Sequence, residues 1–197
     1  MSKTIDVYFD VGSPASYLAW TQLPALAARN SADINWKPML LGGVFKATGN
    51  QSPITIPAKG RYTAVDLTRF AKEYGVQFEF NPHFPINTLQ LMRGAAGYLH
   101  SPRFQDYLST IFTALWVDKR NLNDPEVVSE VLIDTGFDPS EVLGLCNNPE
   151  VKEKLKQTTE EAISRGVFGA PTCFVESDMF FGQDRLDWVE RALLSKE

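Results

Sequence analysis

The chain has 197 residues, a formal net charge of −5, and 44% hydrophobic and 22% charged residues. That length suits one domain, or one domain with a sizeable insertion, and the apolar content suffices for a packed core. The acidic balance, with no basic stripe, argues against nucleic acid as the main partner, and the ordinary charge content argues against disorder.

Thr4–Val11 is dense in β-branched and aromatic residues and predicts a strand. Ser13-Pro14 opens a helix to about Asn30, in which Pro24 predicts a kink or a split. Ile34–Leu40 predicts a second strand, and a β-α-β start favours a right-handed parallel crossover. Leu41–Lys59 loses periodicity and carries Gly42, Gly43, Gly49, Pro53 and Pro57. It predicts a long loop near the strand ends, a common place for ligand contacts.

From about Gly60 to Arg165 the pattern is helical. The predicted helices are Ala64–Tyr74 closed by Gly75, Thr88–Leu99, Pro102–Val117, one from Asp124-Pro125 to Gly136, Pro139–Cys146, and Pro149–Arg165 closed by Gly166. Ser101-Pro102, Asp124-Pro125, Asp138-Pro139 and Asn148-Pro149 repeat the pairing of a capping residue with proline at the first helical position. After Gly169-Ala170-Pro171 come strands at Thr172–Glu176 and Met179–Phe181 around a turn at Ser177-Asp178, then a helix from about Asp184 to Leu194. The order β-α-β, helical block, β-β-α reads most simply as an α/β thioredoxin-like core with a large inserted all-helical domain. The core takes residues 1–60 and 166–197, and the insertion takes 61–165.

Cys146 and Cys173 lie outside any Cys-x-x-Cys spacing, so no dithiol centre is predicted. With His83 and His100 at unrelated positions, no metal site is predicted either. No basic region precedes a long apolar segment, and no stretch has the length of a bilayer span. The expectation is a soluble, cytoplasmic protein with no membrane partner. Gly-x-Ser-x-Gly is absent, which argues against a serine hydrolase.

Three turns would converge in such a fold. At Ser13, a strand feeds a helix whose first free N–H groups and positive dipole end favour an anion. Ser13 stands where a redox protein would carry cysteine, and a sulfur supplied by glutathione would fill that role; equally, Ser13-Pro14 is an ordinary helix start. Pro171 precedes a strand: a cis bond there could present the Ala170 backbone to a peptide-like ligand, and an ordinary turn is the other reading. Gly182-Gln183-Asp184 enters a helix, so its N–H groups suit a carboxylate and Asp184 suits an ammonium; Asp184 as a plain capping acid is the alternative.

Taken together, Tyr8-Phe9-Asp10-x-x-Ser13-Pro14-x-Ser16-Tyr17-Leu18-Ala19, Thr48-Gly49-Asn50, Phe168-Gly169-Ala170-Pro171-Thr172 and Phe181-Gly182-Gln183-Asp184-Arg185-Leu186 resemble the 2-hydroxychromene-2-carboxylate isomerase family. That family sits with kappa-class glutathione transferases in the DsbA-like branch of the thioredoxin superfamily, and the resemblance spans nearly the whole chain. It implies glutathione as cofactor, a small aromatic carboxylate as substrate and a homodimer. It implies Ser13 as the catalytic hydroxyl at the sulfur, and Asn50 as a second catalytic and glutathione-binding residue near the thiol and substrate. Lys59 would hold the glycyl carboxylate, Ala170 and a cis-Pro171 the cysteinyl backbone, and Gln183 and Asp184 the γ-glutamyl end with Arg185 alongside. The family often carries a large aliphatic residue before this proline, so Ala170 implies a roomier site. Phe45, Phe84, Trp116 and Phe168 are candidates for an apolar wall, with core packing as the plainer role for each. A kappa-like transferase and a non-enzymatic DsbA-like binding protein are the competing readings. The Ser16-Tyr17-Leu18-Ala19 continuation favours the isomerases.

Overall fold

The computed structural model describes residues 3–195; the outermost two residues at each end of the predicted core lie outside them. Four strands form one sheet in the order β2-β1-β3-β4: β1 is Thr4–Phe9, β2 Asp33–Pro38, β3 Thr172–Val175 and β4 Asp178–Phe181. β1 pairs parallel with β2 and antiparallel with β3, and β3 pairs antiparallel with β4. Helix α1 (Pro14–Arg29) joins β1 to β2, and α9 (Leu186–Leu194) closes the chain. Between β2 and β3 lie α2 (Leu41–Thr48), α3 (Pro57–Glu73), α4 (Leu89–Tyr98), α5 (Phe104–Trp116), α6 (Pro125–Asp134), α7 (Pro139–Asn147) and α8 (Pro149–Ser164). This is a thioredoxin-like core with a helical insertion.

Several elements depart from expectation. Leu41–Lys59 is not a loop: α2, a 3₁₀ turn at Pro53–Thr55 and the start of α3 occupy it, and Lys59 sits in the first turn of α3. Pro24 does not split α1, because Leu23, Leu26 and Ala27 on either side of it bury against the sheet. The hairpin turn is Glu176-Ser177 rather than Ser177-Asp178, since Asp178 pairs with Val175 and Glu176 takes φ +56°. The last helix begins at Leu186, after a 3₁₀ turn at Gln183–Arg185. Asp124, Asp138 and Asn148 each cap a helix by accepting a backbone N–H, as does Ser13. Ser101 instead accepts from Arg103 N one turn ahead of α5, and so closes a local turn, not the helix.

The core has three parts. Ile5, Val7, Leu23, Leu26, Val175 and Val189 pack α1 and α9 against one face of the sheet. Tyr8, Met39, Val44, Ala162 and Phe174 pack α2 and α8 against the other. The largest part joins the helical block to the start of the core: Phe9, Val11, Tyr17 and Leu18 bury with Met92, Tyr107, Phe112 and Trp116. At the α4–α5 crossing, Gly94 lets the buried Tyr107 approach so closely that a Cβ at that position would lie 2.1 Å from Tyr107 Oη. None of the described helices is long and apolar enough to cross a membrane.

Candidate active site

The end of β1 is held from three directions. Burial pushes the Asp10 carboxyl up from its ordinary pKa, opposed by hydrogen bonds from Leu41 N, Gly12 N and Thr88. Those bonds measure 2.8 Å from Leu41 N and 3.1 Å from Thr88 Oγ1 to Oδ2, and 2.9 Å from Gly12 N to Oδ1. Val11 donates its N–H to Met92 Sδ at 3.3 Å and accepts from Trp116 Nε1 at 2.9 Å. Trp116 is therefore a core anchor of this turn and not part of an apolar wall. Gly12 is required by close approach, since a Cβ there would lie 2.6 Å from Thr88 Cγ2.

Ser13 follows as the N-cap of α1 and is only 6% exposed. Its N–H donates to Asp10 O at 3.0 Å, and its Oγ accepts from Ser16 N at 3.2 Å. The hydroxyl proton is given to Ala170 O at 2.8 Å. A serine hydroxyl has one proton, so donation to an incoming sulfur means rotating away from Ala170 O while the cap bond from Ser16 stays. The Ala170-Pro171 bond is cis, as is Phe84-Pro85, which sequence reasoning missed.

Ser13, Asn50, Lys59, Ala170, Gln183 and Asp184 line one cleft of about 1200 Å³. Pro171 and Arg185 are not part of its lining; Pro171 O accepts from Gly182 N at 2.9 Å, and Arg185 pairs with the Asp184 carboxylate. Asn50 spends both polar atoms on backbone: Nδ2 donates to Phe168 O at 2.8 Å and Oδ1 accepts from Gln51 N at 2.9 Å. Phe45, Phe84 and Phe168 do form cleft wall, joined by Ile56, Tyr62, Leu67, Phe80 and Phe181, which sequence reasoning did not assign to it. Phe168 and Phe181 pair with ring centroids 4.7 Å apart. The period of α3, read from its true start, was the one signal that could have placed Tyr62 and Leu67 on a common element.

Lys59 is exposed in the first turn of α3, whose N-cap Ile56 offers no side-chain acceptor and whose first turn has no acidic residue. A lysine at the positive end of a helix dipole is unfavourable unless an anion sits there. Among the described residues Lys59 makes no ion pair. Helix end and side chain thus add positive potential at the same rim of an otherwise acidic cleft.

Residues 4–194 match the model of the DSBA-like thioredoxin domain. The chain is 34% identical to a 2-hydroxychromene-2-carboxylate isomerase of Sphingobium xenophagum, over 98% of this chain and 100% of that one. It is 26% identical to glutathione S-transferase kappa 1 of Homo sapiens, over 100% of this chain and 93% of the other. A solved structure of a 2-hydroxychromene-2-carboxylate isomerase superposes with a TM-score of 0.83 at 30% identity, covering 96% of this chain and 94% of that one. With the DSBA-like domain matched over residues 4–194 and a named isomerase matched at 34% identity along nearly its whole length, the chain belongs to the 2-hydroxychromene-2-carboxylate isomerase family of DsbA-like thioredoxin-domain proteins.

Proposed function

We propose that this protein is a glutathione-dependent isomerase that interconverts 2-hydroxychromene-2-carboxylate and trans-o-hydroxybenzylidenepyruvate in aromatic hydrocarbon catabolism. The observation that carries the proposal is the Ser13 hydroxyl, buried at the start of α1 and bonded to the Ala170 carbonyl, on the floor of one large cleft. The residues fit glutathione. A helix N-terminus with a hydroxyl donor suits a thiolate, the Ala170 backbone beside Ser13 suits a peptide-like ligand, and Lys59 at the α3 start suits a carboxylate. At about 1200 Å³ the cleft exceeds the roughly 300–1,000 Å³ usual for one small ligand, which leaves room for an aromatic substrate beside the tripeptide.

When bound, glutathione supplies a thiolate that adds reversibly to a conjugated carbon and leaves unchanged. Ser13 turns its proton from Ala170 O toward the sulfur and steadies its negative charge, as does the dipole of α1. Ser13 has no adjacent base to make it a nucleophile itself. Asn50 holds the Phe168 strand-leading loop against the turn after α2 and so keeps the aromatic wall over the reacting end. Residues 1–60 and 166–197 bind the cofactor, and 61–165 supplies the far wall in which Phe80 and Phe84 exclude water from the ring.

The test is an absorbance assay with hydroxychromene carboxylate, with and without glutathione, followed by quantitation of the thiol. Interconversion that requires glutathione and leaves it unconsumed supports the isomerase. Glutathione consumed as a conjugate with electrophiles would favour a kappa-like transferase, the reading that the kappa relatives support. No affinity for glutathione would leave a non-enzymatic binding protein.

Lys59→Ala is expected to raise the apparent glutathione constant several-fold, since an exposed ion pair contributes on the order of 1 kcal/mol. Asp184→Asn should do less, because Arg185 already occupies one oxygen of that carboxylate. Turnover at saturation should hold in both, and added salt should weaken binding to the wild type more than to Lys59→Ala. Titration calorimetry showing unaltered affinity in Lys59→Ala would remove it from the glutathione site.

A further inference from the structure

Asp10 has no part in the chemistry described above, yet it is 1% exposed and lies at the end of β1, three residues before Ser13. A carboxylate so buried is costly unless its oxygens are satisfied. Here the donors come from three separate elements: the Ser13 turn through Gly12 N, the first residue of α2 through Leu41 N, and the residue preceding α4 through Thr88 Oγ1. None of these is a charged partner, and among the described residues Asp10 is not half of an ion pair. Leu40, the N-cap of α2, has no side-chain acceptor, and Asp10 takes over that work from 31 residues away. α2 in turn carries Phe45 and Thr48 on the cleft wall and leads directly into Asn50.

We propose that Asp10 is a positioning residue: its carboxylate fixes the Ser13 turn against α2 and α4, and so sets the distance from the Ser13 hydroxyl to the aromatic wall. The inference rests on the isomerase reading above for its kinetic test and on the geometry for the rest. Asparagine at position 10 keeps the size but presents an NH₂ to at least one of three donors, so one contact turns repulsive. Loss of position at the reacting end lowers the rate at saturation, whereas the glutathione contacts at Lys59 and Gln183 lie elsewhere and hold the binding constant.

The experiment compares Asp10→Asn, Thr88→Val and Thr88→Ser with the wild type. Turnover is counted per glutathione-competent site from calorimetric titration, so that misfolded protein does not enter. Asp10→Asn is expected to lose about tenfold or more in kcat and Thr88→Val about threefold, with the glutathione KM changing by less than about threefold. Thr88→Ser, which restores the hydroxyl, should return to the wild-type rate. Amide exchange at Gly12 and Leu41 should quicken in Asp10→Asn whether or not a substrate turns over. Should Asp10→Asn not fold, the Thr88 pair decides by the same split and rescue. Wild-type kcat per site in both Asp10→Asn and Thr88→Val, or a Thr88→Ser variant no better than Thr88→Val, would overturn the proposal. Unchanged exchange at Gly12 and Leu41 would do so as well. A wild type that binds glutathione but turns over no chromene would overturn the isomerase reading instead and leave the exchange result to judge Asp10.

Discussion

Replacing Ser13 with alanine should lower turnover roughly 10- to 150-fold at saturating glutathione, the effect of losing one charge-assisted hydrogen bond of about 1.5–3 kcal/mol. Affinity for glutathione should change by less, because most of the expected contacts lie at Lys59, Ala170, Gln183 and Asp184. The same substitution removes the α1 cap and the donor to Ala170 O, so it also costs stability, about 1 kcal/mol for the cap alone. Ser13→Gly separates the two effects: glycine caps within a few tenths of a kcal/mol of serine but carries no hydroxyl. Both variants should therefore lose turnover alike while differing in urea midpoint. Undiminished turnover in purified Ser13→Ala would remove the hydroxyl from the reaction.

Gly94→Ala should destabilise the protein by about 2–4 kcal/mol, although alanine is the better helix former by about 1 kcal/mol. The added Cβ would meet Tyr107 Oη at 2.1 Å and the ring carbon Cζ at 2.5 Å. Tyr107 cannot swing aside: it is fully buried, stacked on Tyr98 at 5.2 Å and set edge-on to Phe137 at 5.8 Å. Its hydroxyl donates to Leu91 O at 3.0 Å, and losing that bond leaves the buried Tyr107 hydroxyl without a partner, while Leu91 O keeps its bond within α4. The overpacking and hydrogen-bond penalties together exceed the gain in propensity. Because α4 also supplies Met92 to the Ser13 turn, turnover per folded molecule should fall with stability. Denaturant unfolding that shows a variant as stable as the wild type would mean α4 and α5 can part at no cost.

The sequence by itself determined those helix starts and ends whose capping partners lie within a few residues. Asp124-Pro125, Asp138-Pro139 and Asn148-Pro149 cap their own helices, and Gly75, Gly136 and Gly166 end theirs at φ of +66°, +78° and +83°. The strand–Ser13–helix junction was legible for the same reason. Its cap bond spans three residues, and the β-α-β, helical block, β-β-α order follows from patterns of similar range. Only the tertiary structure decided α2. That helix lacks a capping side chain in its own neighbourhood, so Gly42 and Gly43 read as a loop until the fold brings Asp10 to Leu41 N. The start of α3 was hidden likewise, since Ile56 is no cap, and with it the place of Lys59 at a helix end. The bracing of the reactive turn by Trp116, Met92 and Thr88 spans 78 to 105 residues. No local pattern encodes such pairings, because each partner is satisfied only when the helical block has packed against β1 and α1.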